Sequence, residues 1–450
     1  MCARRTSTIN CSQSALAADF AAKNLSDFRW GTSLAAVRAR RLGPVDCCDI
    51  FAPSSTMDEA SAVHVLCTPI AAVLSDGHKI CMQIGRGCHR LDLGLGSGVR
   101  YLPELGACNV SSPTIRVGLL AYGAIGHEHN LAVQATDGLV LAAVCDTNPE
   151  RVAAALELAP EAVAFADASD MLDSGLIDLV VVSTPPDSHY SWAKAALERG
   201  IHVILEKPMA LTAEQCDELM ALAGARGLLL VVYQNRRYDA DFVTLARLIA
   251  SGAIGEVFQY DSFVGGYSKP CTYWHSDALV SGGAIFDWGS HFLDQVLAVM
   301  PGPVAHVSGV NHKRQWTHVT NADHAQVTIT FADGTQATFV NSDLAAARKP
   351  KFYVLGTEGA VVGNWDPQAE PAVADLPAIL TLHRPDGSAE VIPLDAVPSY
   401  AFHASVVEYL GNGVPMAVSS VQSRDVVAIM QAAEASALDN GMPVVPQLLR

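Results

Sequence analysis

Positive charge is what this chain has too little of. Its 29 Lys and Arg stand against 46 Asp and Glu, a formal net charge of −17 over 450 residues. So acidic a surface repels phosphate backbones and anionic lipid, which argues against nucleic acid or a membrane as partner. Long apolar runs are missing as well. Half of the residues are hydrophobic, yet no stretch approaches the ~20 residues needed to span a bilayer. Metal-ligand spacing is also absent. No C-x-x-C pair occurs, Cys47 and Cys48 are adjacent, and His127-Glu128-His129 lacks the H-E-x-x-H interval, while His312, His318 and His324 are scattered. No metal site is expected.

Cysteine is unevenly spread. Eight of the 11 lie before residue 113, and only Cys145, Cys216 and Cys271 follow, a sparse usage suited to a reducing cytoplasm. Residues 1–113 hold 11 Lys and Arg against 9 Asp and Glu, net +2, so the remainder carries −19. The chain therefore has two compositional regimes. In the first, Arg4-Arg5 is followed by no apolar export region, periodicity is poor, and Gly94-Leu95-Gly96-Ser97-Gly98 reads as loop. Residues 1–113 are expected to be a poorly ordered or non-native extension, with Val110 a plausible start if its codon is GUG.

What is present begins at Ile115. The run Ile115 to Leu120 has the β-branched, apolar character of a buried parallel strand. It turns through Ala121-Tyr122-Gly123-Ala124-Ile125-Gly126 into a helical segment, and a second run, Leu139 to Cys145, ends in Asp146. Strand, glycine turn, helix, strand and acid in that order are the dinucleotide-binding fingerprint. Gly123 admits a pyrophosphate to the backbone, Gly126 allows tight helix packing, and Asp146 accepts ribose hydroxyls. Ala121 replaces the first glycine of the pattern, which is tolerable if its φ stays negative.

Further strands at Ile177–Val182, His202–Leu205 and Leu228–Tyr233 alternate with helices, one closed by Gly200 and one capped by Thr212. Such alternation means an α/β, doubly wound parallel sheet over 114–235. Asp187 or Ser188 is expected to cap the helix before Gly200. Beyond Tyr238 the rhythm changes to α+β. Alternating segments at Glu256–Val264, His324–Phe331 and Gln336–Asn341 appear, the last two flanking an Asp333-Gly334 turn, with short strands at Lys351–Leu355, Ile379–His383 and Glu390–Ile392. Helices are predicted near 240–250, 289–300, 400–412 and 424–440. Residues 236–450 therefore predict a mostly antiparallel open sheet, one face covered by helices and the other free for assembly into a homodimer or homotetramer.

Four motifs in order carry a resemblance: the Ala121–Gly126 turn, Ser183-Thr184-Pro185 with His189, Glu206-Lys207-Pro208 and Asn235-Arg236-Arg237. Downstream, Gly282-Gly283-Ala284-Ile285-Phe286-Asp287-Trp288-Gly289-Ser290-His291-Phe292-Leu293-Asp294 fits a G-G-x-x-x-D-x-G-x-H-x-x-D segment. Over about 114–440 the chain resembles the Gfo/Idh/MocA oxidoreductases, which include glucose–fructose oxidoreductase and inositol dehydrogenase. The resemblance implies cofactor contacts from Tyr122, Gly123, Ala124, Ile125, Asp146, Ser183, Thr184, Pro185, His189, Glu206, Lys207 and Asn235. It implies a catalytic group of Lys207, Asp287 and His291, and substrate contacts from Arg236, Tyr273, Trp274, His275 and Asp294. Family members often carry Arg where His275 stands.

The residues themselves agree with this. Asp287, His291 and Asp294 are spaced i, i+4 and i+7, so on a helix they share one face. Lys207 follows a buried strand, where ligands of open parallel sheets bind. An imidazole with its ordinary pKa of ~6.5 suits His291 as base for a hydroxyl proton, and Lys207 can stabilise a developing oxyanion. Each also has a plainer reading, His291 as a core histidine and Asp287 as a helix N-terminal acid. Tyr267, Tyr273, Trp274 and His275 either line a sugar site or cover the sheet. The expected function is NAD(P)-dependent oxidation of a sugar or cyclic polyol, with NAD favoured because Asp146 repels a 2′-phosphate. Alternatives are a glycosidase using transient oxidation and a non-catalytic nucleotide sensor.

Overall fold

The computed structural model describes residues 114–300, 302–369 and 376–449, together with strand backbones between 63 and 101. The chain divides into two units, Met1–Ser111 and Ser112–Arg450. In the first, β1 (Val63–Cys67), β2 (Ile70–Ser75), β3 (Lys79–Ile84), β4 (Gly87–Leu93) and β5 (Val99–Tyr101) pair antiparallel in sequence order. The sequence predicts no regular elements there. The rest of residues 1–113, with the Gly94–Gly98 loop and the start expected at Val110, lies outside the described residues.

The second unit opens with a six-stranded parallel sheet. Its strands are β6 (Ile115–Leu120), β7 (Leu139–Cys145), β8 (Val163–Phe165), β9 (Leu179–Val182), β10 (His202–Leu205) and β11 (Leu230–Val232). Their order, β11-β10-β9-β6-β7-β8, reverses direction between β6 and β9, which is where such sheets bind ligands. All four residues of β9 and the last four of β6 are buried, as helices on both faces demand. Those helices are α1 (Ala124–Ala135), α2 (Pro149–Leu158), α3 (Ala168–Asp173), α4 (His189–Glu198) and α5 (Ala213–Arg226). Gly227 ends α5 in the left-handed conformation, at φ +64°, and Thr212 caps its start. Neither Asp187 nor Ser188 caps α4, because the Ser188 hydroxyl donates backwards to Thr184 and Pro185.

After α6 (Ala240–Ala250) comes an eight-stranded sheet of order β13-β14-β15-β12-β16-β17-β18-β19. Its strands are β12 (Val257–Gly265), β13 (Val304–His312), β14 (His324–Phe331), β15 (Gln336–Ser342), β16 (Phe352–Gly356), β17 (Gly359–Asn364), β18 (Ile379–His383) and β19 (Ala389–Val391). Only β12 and β15 pair in parallel. Along β14 buried and half-buried residues alternate strictly, so one face of the sheet is covered. The cover is α8 (Ala284–Val299), which follows the short α7 (Ala278–Ser281), and α10 (Ser420–Leu438). Gly309 in β13 lets α10 come close, since a Cβ there would lie 1.9 Å from the Ala433 carbonyl oxygen. The other face presents Val310, Tyr353 and Ile379, each about 40% exposed, among polar residues such as Gln326, Thr328 and Thr381 and the carboxylate of Asp261.

Strands β8, β13 and β17 escape the sequence reading, and α8 begins five residues before the predicted Gly289. Residues 401–418 also return to the first sheet. Phe402 and Val406 of α9 (Ala401–Asn412), with Val418, share a core with Val117, Val133 and Val181. A boundary at 235 therefore separates the sheets but not the packing.

Candidate active site

The first turn is built from backbone and one carboxylate. Ala121 leaves β6 at φ +73°, against the expected negative value. Its amide donates to Cys145 O at 2.8 Å and its carbonyl accepts the Ser183 hydroxyl at 2.8 Å, which hold this strained alanine in place. The Tyr122 amide donates to Asp146 Oδ2 at 2.7 Å, and the Asn148 amide to Asp146 Oδ1 at 2.8 Å. Asp146 is thus fixed at the end of β7, each oxygen keeping a lone pair for a ribose hydroxyl. Arg151 Nη1 stands 3.7 Å from it. Tyr122 itself is buried, its hydroxyl bonded to Asn130, so only its backbone belongs to this turn.

The start of α1 is ready for an anion. Gly123 is its N-cap and provides no side-chain cap, which leaves first-turn N–H groups unspent at the positive end of the helix. Nothing lies within 4 Å of a Cβ built on Gly123. A Cβ on Gly126 would lie 2.7 Å from Ala121 O, so that glycine serves helix–turn packing. An open cradle, free helix N–H groups and a fixed acid at the second strand fit a dinucleotide, with Gly123, Ala124 and Ile125 at the phosphates and Asp146 at the ribose.

The second loop is tied from behind. His189 is fully buried, Nε2 at 2.8 Å from Thr184 O and Nδ1 at 2.7 Å from Pro208 O. Burial lowers its pKa although both carbonyls favour the protonated ring. It therefore positions the Ser183-Thr184-Pro185 loop and the cis Lys207–Pro208 turn instead of meeting a cofactor itself. Glu206 is also turned inward. It pairs with His129 Nε2 at 3.0 Å, and His129 Nδ1 reaches His403 Nε2 at 3.0 Å. The sequence offers His129 only as a failed metal motif, and nothing in it marks His403.

At the end of β10 the Lys207 ammonium is in direct contact with the Asp287 carboxylate, which enters from the first turn of α8. Burial works to raise the Asp287 pKa, but Lys207 and then His275 hold it below the usual carboxylate range. His275 Nδ1 lies 4.0 Å from Asp287 Oδ2, with its ring stacked on Trp274 at 3.5 Å. One turn along α8, His291 is buried and its Nδ1 has no hydrogen-bond partner among the described residues. Burial first, then the charges of Lys207, Arg236 and Lys351, push its pKa well below the ordinary imidazole value assumed from sequence. His291 is therefore neutral, and able to take a proton, throughout the neutral range.

The shared face of α8 ends there. Asp294 is buried in a two-pronged pair with Arg237, Nη2 to Oδ1 at 2.6 Å, which the Ala417 carbonyl extends. It anchors α8 and does not reach the expected substrate contact. Arg236 lies over the Trp288 ring at 5.4 Å and pairs with Asp239, engaged inside the protein. Asn235 lines a recess of about 410 Å³ with Tyr233, Tyr400 and Phe402, a wall that includes none of Lys207, Asp287 and His291. Tyr273 is 61% exposed beside His275.

Comparisons with known proteins follow this geometry. The family described as "Oxidoreductase family, NAD-binding Rossmann fold" matches residues 115–234, and the "GFO/IDH/MocA C-terminal domain" matches 242–362. The chain is 27% identical over 338 residues to scyllo-inositol 2-dehydrogenase (NADP(+)) IolW of Bacillus subtilis, covering 71% of this chain and 93% of that protein. It is 33% identical over 262 residues to the uncharacterized oxidoreductase YdgJ of Escherichia coli, covering 58% and 74%. Among solved structures, the putative oxidoreductase yvaA of Bacillus subtilis superposes with a TM-score of 0.67 at 25% identity, over 75% of this chain and 99% of that one.

Proposed function

This chain belongs to the Gfo/Idh/MocA family of NAD(P)-binding oxidoreductases, and on that premise we propose that it moves hydride between a secondary alcohol of a sugar or cyclic polyol and the nicotinamide. The observation that carries the reading is the Lys207–Asp287 contact at the carboxyl end of β10, with neutral His291 one helical turn away. NAD(P)+ supplies the hydride acceptor when bound. Lys207 donates to the substrate oxygen and offsets its growing negative charge. Asp287 holds that ammonium in place and accepts from a neighbouring hydroxyl. His291 takes the hydroxyl proton, its low basicity balanced by being wholly in the base form at neutral pH. A nucleotide sensor has no use for a half-buried ammonium and an unpaired buried imidazole together.

NAD is the preferred cofactor in this reading, because Asp146 faces the ribose and repels a 2′-phosphate. Arg151 beside it softens that preference, in keeping with the NADP(+) in the name of the Bacillus subtilis relative. Assembly through the open face of the eight-stranded sheet accompanies the proposal, since exposed Val310, Tyr353 and Ile379 lie there among side chains that, Asp261 apart, are mostly uncharged. The test is NADH and NADPH formation across a panel of inositols and neutral sugars. Oxidation of one or more, abolished in Lys207→Met, is the expected result. Tight NAD+ binding without turnover of any polyol would refute it and leave the sensor.

A further inference from the structure

Three loops converge at the end of the second sheet nearest His275, and Asp343 sits where they meet. Asp343 directly follows β15. Its amide donates to Asp323 O at 2.8 Å, and its carbonyl accepts from the Ser268 amide at 3.2 Å and Trp316 Nε1 at 3.4 Å. The 313–323 loop is wound around the Asp323 carboxylate, which takes Lys313 Nζ at 2.8 Å and the amides of Arg314, Gln315 and Trp316. The same loop reaches the candidate site through His275, whose carbonyl accepts from Asn321 Nδ2 at 2.8 Å and whose ring lies 4.0 Å from Asp287. Beside Asp343, Tyr267 meets Trp316 at 6.0 Å between ring centroids, and Tyr267 is 59% exposed.

The contrast between the two acids is informative. Asp323 is saturated with donors, whereas no donor among the described residues reaches the Asp343 carboxylate. Burial raises the Asp343 pKa to about 6. The Asp323 charge adds to that, Lys313 opposes it, and Asp287 repels it as well. A half-buried carboxylate with no donor, facing two like charges, is destabilising for the protein alone. A neutral molecule rich in hydroxyl donors removes that cost. Exposed aromatic faces beside it suit the C–H surface of a sugar or cyclitol ring.

We propose that Asp343 is a specificity-determining residue of this site, accepting hydroxyl hydrogen bonds from the substrate ring remote from the carbon being oxidised, with Tyr267 and Trp316 as the wall. The proposal rests on the polyol oxidation argued above and adds a class. Lys207 is paired with Asp287 and Lys313 with Asp323, so an anionic group placed against Asp343 meets a carboxylate with no cation bonded to it among the described residues. The preferred substrate therefore presents hydroxyls to Asp343, and a sugar phosphate or sugar acid with its anionic group at that position is disfavoured.

The experiment compares wild type, Asp343→Asn and Asp343→Ala with a turned-over inositol or neutral sugar and with its phosphorylated counterpart. KM for the neutral substrate should rise about 10-fold or more in both variants, the loss expected for hydrogen bonds to a charged acceptor. Turnover at saturation and NAD+ affinity should stay within about 3-fold, and discrimination against the phosphate should narrow. KM unchanged while wild type and variants turn over normally would overturn the role of Asp343 and leave polyol oxidation standing. A fall in turnover or melting temperature with KM unmoved would overturn it equally, as a structural effect. Absence of polyol oxidation by wild type would overturn both readings.

Discussion

Replacing Lys207 by Met tests the chemistry most directly. The two side chains are of similar length, so the strand end keeps its packing, and the ammonium alone is removed. Its loss takes away the donor for the substrate oxygen, about 3 kcal/mol of transition-state stabilisation, or roughly 100-fold in turnover. Two further effects follow from the geometry. Asp287 loses the cation that holds its pKa down, so the carboxyl gains protons at a higher pH than before. His291 loses the charge that depresses it most and becomes more basic, which recovers a minor part of the rate. The first turn, α1 and Asp146 are untouched, so NAD+ affinity by calorimetry should stay within about 3-fold. Adding Asp287→Asn removes the orphaned charge, so the double variant should melt higher than Lys207→Met yet remain inactive. Turnover within about 5-fold of wild type would falsify the role of Lys207. Equal losses of NAD+ binding and turnover would mean that Lys207 is a cofactor ligand only.

The glycines of the first turn should separate binding from folding. Gly123→Ala, at φ −81° with open space around its Cβ, should melt like wild type and bind NAD+ about 10-fold more weakly, as the close phosphate approach requires. Gly126→Ala drives a Cβ onto Ala121 O and should lower stability by about 1–3 kcal/mol in denaturant titration. Asp146→Ala should narrow the NAD+ over NADP+ preference, with Arg151 freed to meet a 2′-phosphate; equal affinities in wild type would count against the assignment. Stability should fall with acid. Burial pushes His291 and His403 well below the ordinary imidazole range, so each stays neutral in the fold and takes a proton on unfolding below ~6.5. Their contribution is complete above that pH and is lost as pH falls, by up to about 1.4 kcal/mol per pH unit for each. Melting temperatures between about pH 5 and 7.5 check the sign, and replacing both by Phe should flatten the slope.

The first sheet was legible because its signals are local. Five of its six strands are short apolar runs, whereas β8, three residues long and largely exposed, was missed; Asp146 falls where a second strand must end. The chemistry-bearing residues of 207 and 287–291 were legible for the same reason, as motifs at strand and helix ends. The second sheet was read less well. Nothing in the sequence around β13 or β17 stands out, since those strands earn their place by pairing with distant neighbours.

What the sequence alone determined was which residues carry charge, donors and special backbone freedom, and the order in which they leave buried strands. Only the tertiary structure decided what those groups are spent on. Asp294 and Asp287 lie on one helix with the same side chain. Arg237 reaches the first and buries it as an anchor, whereas Lys207 reaches the second at the open end of β10. Asp323 and Asp343 are equally alike in sequence, and only loop packing gives one four donors and the other none among the described residues. Ala121 takes a positive φ because β6, β7 and Ser183 fix its amide and carbonyl from outside. For Asp287, Asp294 and Ala121 the deciding partner lies tens of residues away, whereas Asp323 draws its donors from its own loop, and burial multiplies the strength of whichever contact the fold provides.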